Sequence, residues 1–158
     1  MKYAGLIEND VLNGEGVSVS LWMQGCPHKC PGCHNPETWD ENGGIEISLE
    51  DLEEQIFKAI SANGIQRNFS VLGGEPFSNE NIHYTTTIIK DVKEKFPNII
   101  ICVWTGYTFE EIQNWNAEQL LKNIDYLIEG RYIQELRDIT LKWRGSSNQR
   151  ILKNGIDF

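Results

Sequence analysis

No apolar run in the chain approaches the roughly 20 residues needed to span a bilayer. The opening MKYAGLIEND has neither the basic region nor the apolar stretch of a secretory signal. These two absences predict a cytoplasmic protein away from any membrane. Basic residues are also scarce: 14 Lys and Arg stand against 23 Asp and Glu, a net charge of −9. Such a chain repels phosphate, which excludes a general nucleic-acid binder. Internal repeats, low-complexity tracts and linkers are missing too, so 158 residues predict a single domain over 1–158. Cysteine is sparse, with four in all, and a disulfide framework is not indicated for a cytosolic chain.

What is present is ordinary in bulk, with 40% apolar and 23% charged residues. The charge is unevenly spread. Residues 1–130 hold 8 basic and 20 acidic side chains, whereas 131–158 hold 6 basic and 3 acidic. That tail reads as scattered solvated charge, or as a docking patch built on Arg131, Arg144 and Arg150 for an acidic partner.

Strand and helix signals alternate. Val17–Met23 alternates as a strand and runs into a cysteine-bearing loop after Gly25. Ser48 and Asp51 open a helix with Leu49, Leu52, Ile56 and Ile60 inward and Gly64 as a stop. Phe69–Leu72 is a buried strand ending at Gly73-Gly74. A helix from about Asn79 to Phe96 stops before Pro97, and Ile99–Trp104 reads as a strand covered on both faces. Thr108 and Glu111 form a second capping box for a helix running through Leu121, and Ile124–Ile128 is the next strand. In the tail, Ile139–Arg144 and Gln149–Lys153 are candidate strands. This alternation predicts an α/β fold with a mostly parallel sheet and right-handed crossovers. A closed eight-unit barrel needs about 250 residues, so the expectation is a single-domain open, partial (β/α) barrel.

The most specific feature is Cys26-Pro27-His28-Lys29-Cys30-Pro31-Gly32-Cys33. Three thiolates on one short loop converge on a soft metal centre, and the prolines disfavour a helix. A four-iron cluster ordinarily takes four cysteines. The remaining one, Cys102, lies in an apolar strand and reads as a core residue, which would leave one iron open to an external ligand. A structural zinc site of these cysteines with His28 or His34 is the competing reading. Its spacing is unusual for zinc, and no second ligand pair occurs elsewhere. A small iron–sulfur electron carrier is a third.

Gly73-Gly74-Glu75-Pro76 closes a strand, and parallel sheets bind ligands at the carboxyl ends of their strands. The glycines admit a ligand close to the backbone, and Glu75 is a candidate acceptor for a cationic amine. A tight strand-to-helix turn explains the same residues. Trp104–Tyr107 ends the following strand as either site lining or strand cap.

With both motifs in place, the chain resembles the radical S-adenosylmethionine superfamily. The resemblance implies that Cys26, Cys30 and Cys33 bind a [4Fe-4S] cluster and that S-adenosyl-L-methionine chelates the fourth iron. Reductive cleavage of the sulfonium would then give a 5′-deoxyadenosyl radical. It further implies that Gly73, Gly74 and Glu75 bind the methionine amino group, and that Gly32, Cys33 and His34 face the adenine. Gly32 departs from the pattern, since many members carry an aromatic residue there. Within the superfamily the chain is similar to the glycyl-radical activases, in particular those of anaerobic ribonucleoside-triphosphate reductase. The likeness covers nearly the whole chain, including Leu21–Trp39, Glu129–Tyr132 and Arg144–Arg150. It implies that reductase as protein substrate, hydrogen abstraction from one of its glycines, and a flavodoxin-like electron donor. An activase of another glycyl-radical enzyme, such as a formate-lyase, is the nearest alternative.

Overall fold

Alternation at Val19, Leu21 and Met23 behaves as strand periodicity requires, and all three side chains are fully buried. A computed structural model describes all residues, Met1–Phe158. Its strands are β1 (Lys2–Asp10), β2 (Ser18–Met23), β3 (Ile45–Glu46), β4 (Asn68–Gly73), β5 (Ile101–Thr105), β6 (Tyr126–Glu129) and β7 (Arg150–Lys153). The helices are α1 (Leu49–Ile60), α2 (Ile82–Lys95) and two short ones, α3 (Phe109–Ile112) and α4 (Glu118–Leu121). All strands join one sheet in the order β3-β1-β2-β4-β5-β6-β7.

That sheet is mixed, which corrects the expected mostly parallel partial barrel. The pairings β2–β4, β4–β5 and β5–β6 are parallel. Those of β1 with β2 and β3, and of β6 with β7, are antiparallel. Only α1 and α2, of 12 and 14 residues, extend beyond four residues. The physical causes lie at three places. β1 was not expected, because Gly5 and two register shifts against β2 blur its alternation. The helix expected through Leu121 breaks after Ile112, where Asn114 and Asn116 compete for the backbone. Beyond Glu129 no amphipathic helix is available to make a crossover, so the chain turns back as β7. Of the two candidate tail strands, only Arg150–Lys153 forms.

The longer helices follow their sequence signals closely. Ser48 Oγ accepts from the Asp51 N–H at 3.1 Å, and Leu52, Ile56 and Ile60 are buried. α1 ends before a 3₁₀ turn, Ala62–Gly64. α2 begins at Ile82 rather than Asn79 and buries Ile88, Ile89 and Val92. No helix is long and apolar enough to cross a membrane.

α1 and α2 pack together with one built-in conflict. Burial, and then Asp91 on α2, pushes the Glu53 carboxyl on α1 up to about 7. Glu53 Oε1 is buried without a hydrogen-bond partner. A carboxyl raised in the folded state loses stability as pH climbs from its unfolded value, about 4.3, through 7. Glu53→Gln is therefore expected to stabilise the protein at pH 8 by about 1 kcal/mol, after allowance for solvent screening. In a thermal melt that is roughly 2–4 °C, and the gain should vanish at pH 4. A pH-independent gain would show that charge is not its cause.

Candidate iron–sulfur site

β2 delivers the chain to Gly25, at φ 96°, and the loop that follows is closed at its base by protein alone. The Gly25 N–H donates to the Thr38 carbonyl at 2.7 Å and the Cys26 N–H to the Trp39 carbonyl at 3.1 Å. Gln24 Nε2 donates to the carbonyls of Glu37 and Asp40 at 3.0 and 2.7 Å. Inside the loop, the Cys33 N–H donates to the Cys30 carbonyl at 3.0 Å. Lys29 and Gly32 take left-handed φ values of 48° and 79°, which keeps the segment curled.

Cys26, Cys30 and Cys33 all line one cavity at the carboxyl ends of the parallel strands. Burial pushes the Cys26 and Cys30 thiols above their ordinary value. The backbone N–H of His28 opposes this at Cys26, and that of Tyr132 opposes it at Cys30. Cys33 Sγ accepts from the Asn35 N–H at 3.4 Å. A backbone hydrogen bond to a ligand sulfur, as at Cys33, suits a thiolate ligand of an iron–sulfur cluster. No three Cys, His, Asp or Glu side chains stand close enough to share a single metal ion, as a tetrahedral zinc site requires. Cys102 is buried on β5 beside Ser70 and Gly14, away from this cavity.

The Gly73–Pro76 turn forms the opposite wall. Gly73 has φ 93°, and a Cβ there would meet the Met23 nitrogen at 2.7 Å. A Cβ on Gly74 would meet the Gly25 carbonyl at the base of the cysteine loop. Gly73→Ala is expected to cost about 1–3 kcal/mol, read as a lowered melt of the cluster-free protein. Gly5→Ala is the control, since no atom lies within 4 Å of its Cβ position.

Glu75 is fully buried, and both of its oxygens are engaged by the protein. Oε1 accepts from the Phe77 N–H at 2.9 Å and Thr105 Oγ1 at 2.7 Å. Oε2 accepts from the Gly106 N–H and His28 Nε2, each at 2.7 Å. The His28 ring stands edge-on to Tyr107, with centroids 4.4 Å apart. The Gly74 carbonyl, in contrast, accepts no hydrogen bond from the chain.

The chain is similar in sequence to known proteins. A family described as a 4Fe-4S single cluster domain matches residues 12–152. The anaerobic ribonucleoside-triphosphate reductase-activating protein of Escherichia coli (strain K12) is 35% identical over 150 residues, covering 94% of this chain and 96% of its own. Proteins of the same name from Vibrio cholerae and Enterobacteria phage T4 are 37% and 36% identical. They cover 96% and 98% of this chain, and 97% and 95% of their own. The chain belongs to this family of activating proteins.

Of the residues that the sequence singled out, the three cysteines, Gly73, Gly74 and Glu75 share the cavity, as do Trp104, Thr105 and Gly106 but not Tyr107. Gly32 and His34 lie outside its lining. The Gln134 side chain occupies the space that a Cβ on Gly32 would need, and the His34 ring sits 5.7 Å from that of Tyr132. His28 entered the sequence reading only as a zinc ligand, yet here it is the partner of Glu75. Trp39, Gly130, Tyr132 and Gln149 also line the cavity and had no assigned role. Of the three tail arginines singled out, Arg131 and Arg150 are paired within the chain, whereas Arg144 bonds only the carbonyls of Lys142 and Gln149. Arg131 pairs with Glu111 at 3.0 Å, and Arg150 pairs with Glu129 at 2.6 Å and Glu110 at 2.7 Å. The Arg131 guanidinium and the Thr108 N–H hold the Glu111 carboxyl down to about 2.

Proposed function

We propose that Cys26, Cys30 and Cys33 hold a [4Fe-4S] cluster with one iron free for S-adenosyl-L-methionine, and that the chain activates anaerobic ribonucleoside-triphosphate reductase by generating its glycyl radical. The observation that carries this reading is the convergence of the three loop cysteines and Gly73–Glu75 on one cavity, in a chain of this family. When bound, the reduced cluster would supply the electron that cleaves the sulfonium to a 5′-deoxyadenosyl radical, which takes hydrogen from the α-carbon of a partner glycine.

The residues of the chain position and enclose that chemistry. The unengaged Gly74 carbonyl is the acceptor for the methionine ammonium, with Gly73 keeping the backbone close. Glu75 is assigned a shaping role at this subsite, through its bonds to His28, Thr105 and Gly106. Gly32, Cys33 and His34 are assigned to the adenine side, where Tyr132 supplies the aromatic ring that position 32 lacks. Residues 1–158 act as one radical S-adenosylmethionine domain, with a flavodoxin-like protein as electron donor.

The test is anaerobic reconstitution with iron and sulfide, followed by S-adenosylmethionine, a reductant and the reductase. The expected products are 5′-deoxyadenosine and a glycyl-radical signal on the reductase by electron paramagnetic resonance. A formate-lyase acquiring the radical in place of the reductase would reassign the partner. Absence of both products from cluster-replete protein with reductase present would refute the activity.

A further inference from the structure

Between its first and third cysteines the loop is scarcely fastened. From Pro27 to Gly32 no backbone hydrogen bond leaves the loop for another part of the chain, the Cys30 carbonyl accepting only from Cys33. Leaving the cysteine sulfurs aside, one group of this segment does reach out. His28 Nε2 donates to Glu75 Oε2 at 2.7 Å.

That bond is built in from several sides. The two side chains are only 6% and 1% exposed, so burial leaves neither an alternative partner in solvent. Tyr107 meets the imidazole edge-on at 4.4 Å. Gly106 makes room for it, since a Cβ there would lie 2.5 Å from His28 Cδ2 and 2.7 Å from Nε2. The loops that follow β2, β4 and β5 therefore meet at one ring. Glu75 carries the contact into the glycine turn, where its carbonyl accepts from Asn81 Nδ2 at 3.1 Å. Its N–H donates to the Gly25 carbonyl at 2.7 Å. Cys26 thus lies between two ties to a single residue, one at Gly25 and one at His28.

We propose that His28 is a positioning residue for the reaction: its bond to Glu75 locks the cysteine loop to the Gly73–Pro76 turn and so fixes how S-adenosyl-L-methionine is presented to the open iron. A ligand that chelates a metal held by one loop while its ammonium bonds another feels any slip between the two. Partners beyond the metal ligands act in this way on affinity and alignment. The inference rests on the reading of both loops given under the proposed function.

The experiment uses the full chain, reconstituted anaerobically, as wild type, His28→Gln, His28→Asn, His28→Leu and, as control, His83→Gln at an exposed position of α2. The Gln amide can donate to Glu75, the Asn amide is one methylene shorter, and Leu has no donor. Iron and sulfide content and the melt of the cluster-free protein are measured for each. Affinity is then read from the change in the electron paramagnetic resonance spectrum of the reduced cluster as S-adenosylmethionine is added. The expected result is that the Leu and Asn variants keep the cluster but bind S-adenosylmethionine roughly 10–100-fold more weakly. His28→Gln and His83→Gln should stay near wild type. Wild-type affinity in cluster-replete Leu or Asn protein overturns the proposal, whatever happens to the melt. So does a loss in His28→Gln as large as that in His28→Leu, because the donor is then not what matters. A variant that keeps its melt but holds no iron overturns it in favour of a role in cluster assembly. If His28→Leu does not fold, Asn against Gln decides by the same outcomes. A wild-type cluster that gives no response to S-adenosylmethionine would refute the cofactor reading itself, which separates that failure from a failure of His28.

Discussion

Replacing Cys30 with alanine is expected to leave a folded protein that binds no intact four-iron cluster and cleaves no S-adenosylmethionine. The same holds for Cys26 and Cys33, because the cavity offers three thiols and no spare. Cys102 cannot substitute. It lies near the start of β5, paired in register with Ser70 and Tyr126, whereas the cavity opens at the strands' far ends. Burial pushes the Cys102 thiol up to about 12, so it stays protonated and is a poor metal ligand. Fold retention follows from the loop base, whose bonds use backbone and Gln24 rather than sulfur. Iron analysis, product assay and circular dichroism of the three variants provide the check. Cluster-dependent activity in any one of them would show that its sulfur is not a ligand.

The largest stability effect is expected at Glu75. Two of its four partners, the Phe77 and Gly106 N–H groups, can only donate, and they address different oxygens. In Glu75→Gln the amide NH₂ faces an obligate donor in either orientation, which costs about 1–3 kcal/mol. Glu75→Ala strands all four donors in a buried space and is expected to cost about 3–5 kcal/mol. For a domain of this size each kcal/mol corresponds to roughly 2–4 °C in the melt. Denaturant unfolding of the cluster-free protein measures this apart from any effect on activity. A Gln variant as stable as wild type would mean that these donors find other partners.

The site was legible where chemistry is compressed into neighbouring residues. Three cysteines in eight positions and a Gly-Gly-Glu turn needed no tertiary information, and the family comparison agrees with the iron–sulfur chemistry they suggested. The helix caps at Ser48 and Thr108 were legible for the same reason, since their partners lie three residues on. The sheet was misread where topology depends on what the chain fails to provide. One-turn helices after Thr108, and the lack of any after Glu129, turn a would-be parallel array into a mixed sheet. Contacts such as His28 with Glu75 or Asn148 with Arg131 join residues 47 and 17 apart. Such pairs have no local pattern to betray them, and Arg144–Arg150 as a unit accordingly entered the sequence reading only through the family likeness.

The closed base of the cysteine loop bears on the order of assembly. Small metal domains that fold only around their ion are lost when the ion is lost. Here the ring from Gly25 to Trp39 is fastened by backbone and Gln24 hydrogen bonds rather than by sulfur, so its closure does not depend on iron. Folding and loading are then expected to be separate events. A cluster destroyed by oxygen would leave that ring closed, so recovery on return to anaerobic conditions calls for refilling rather than new synthesis.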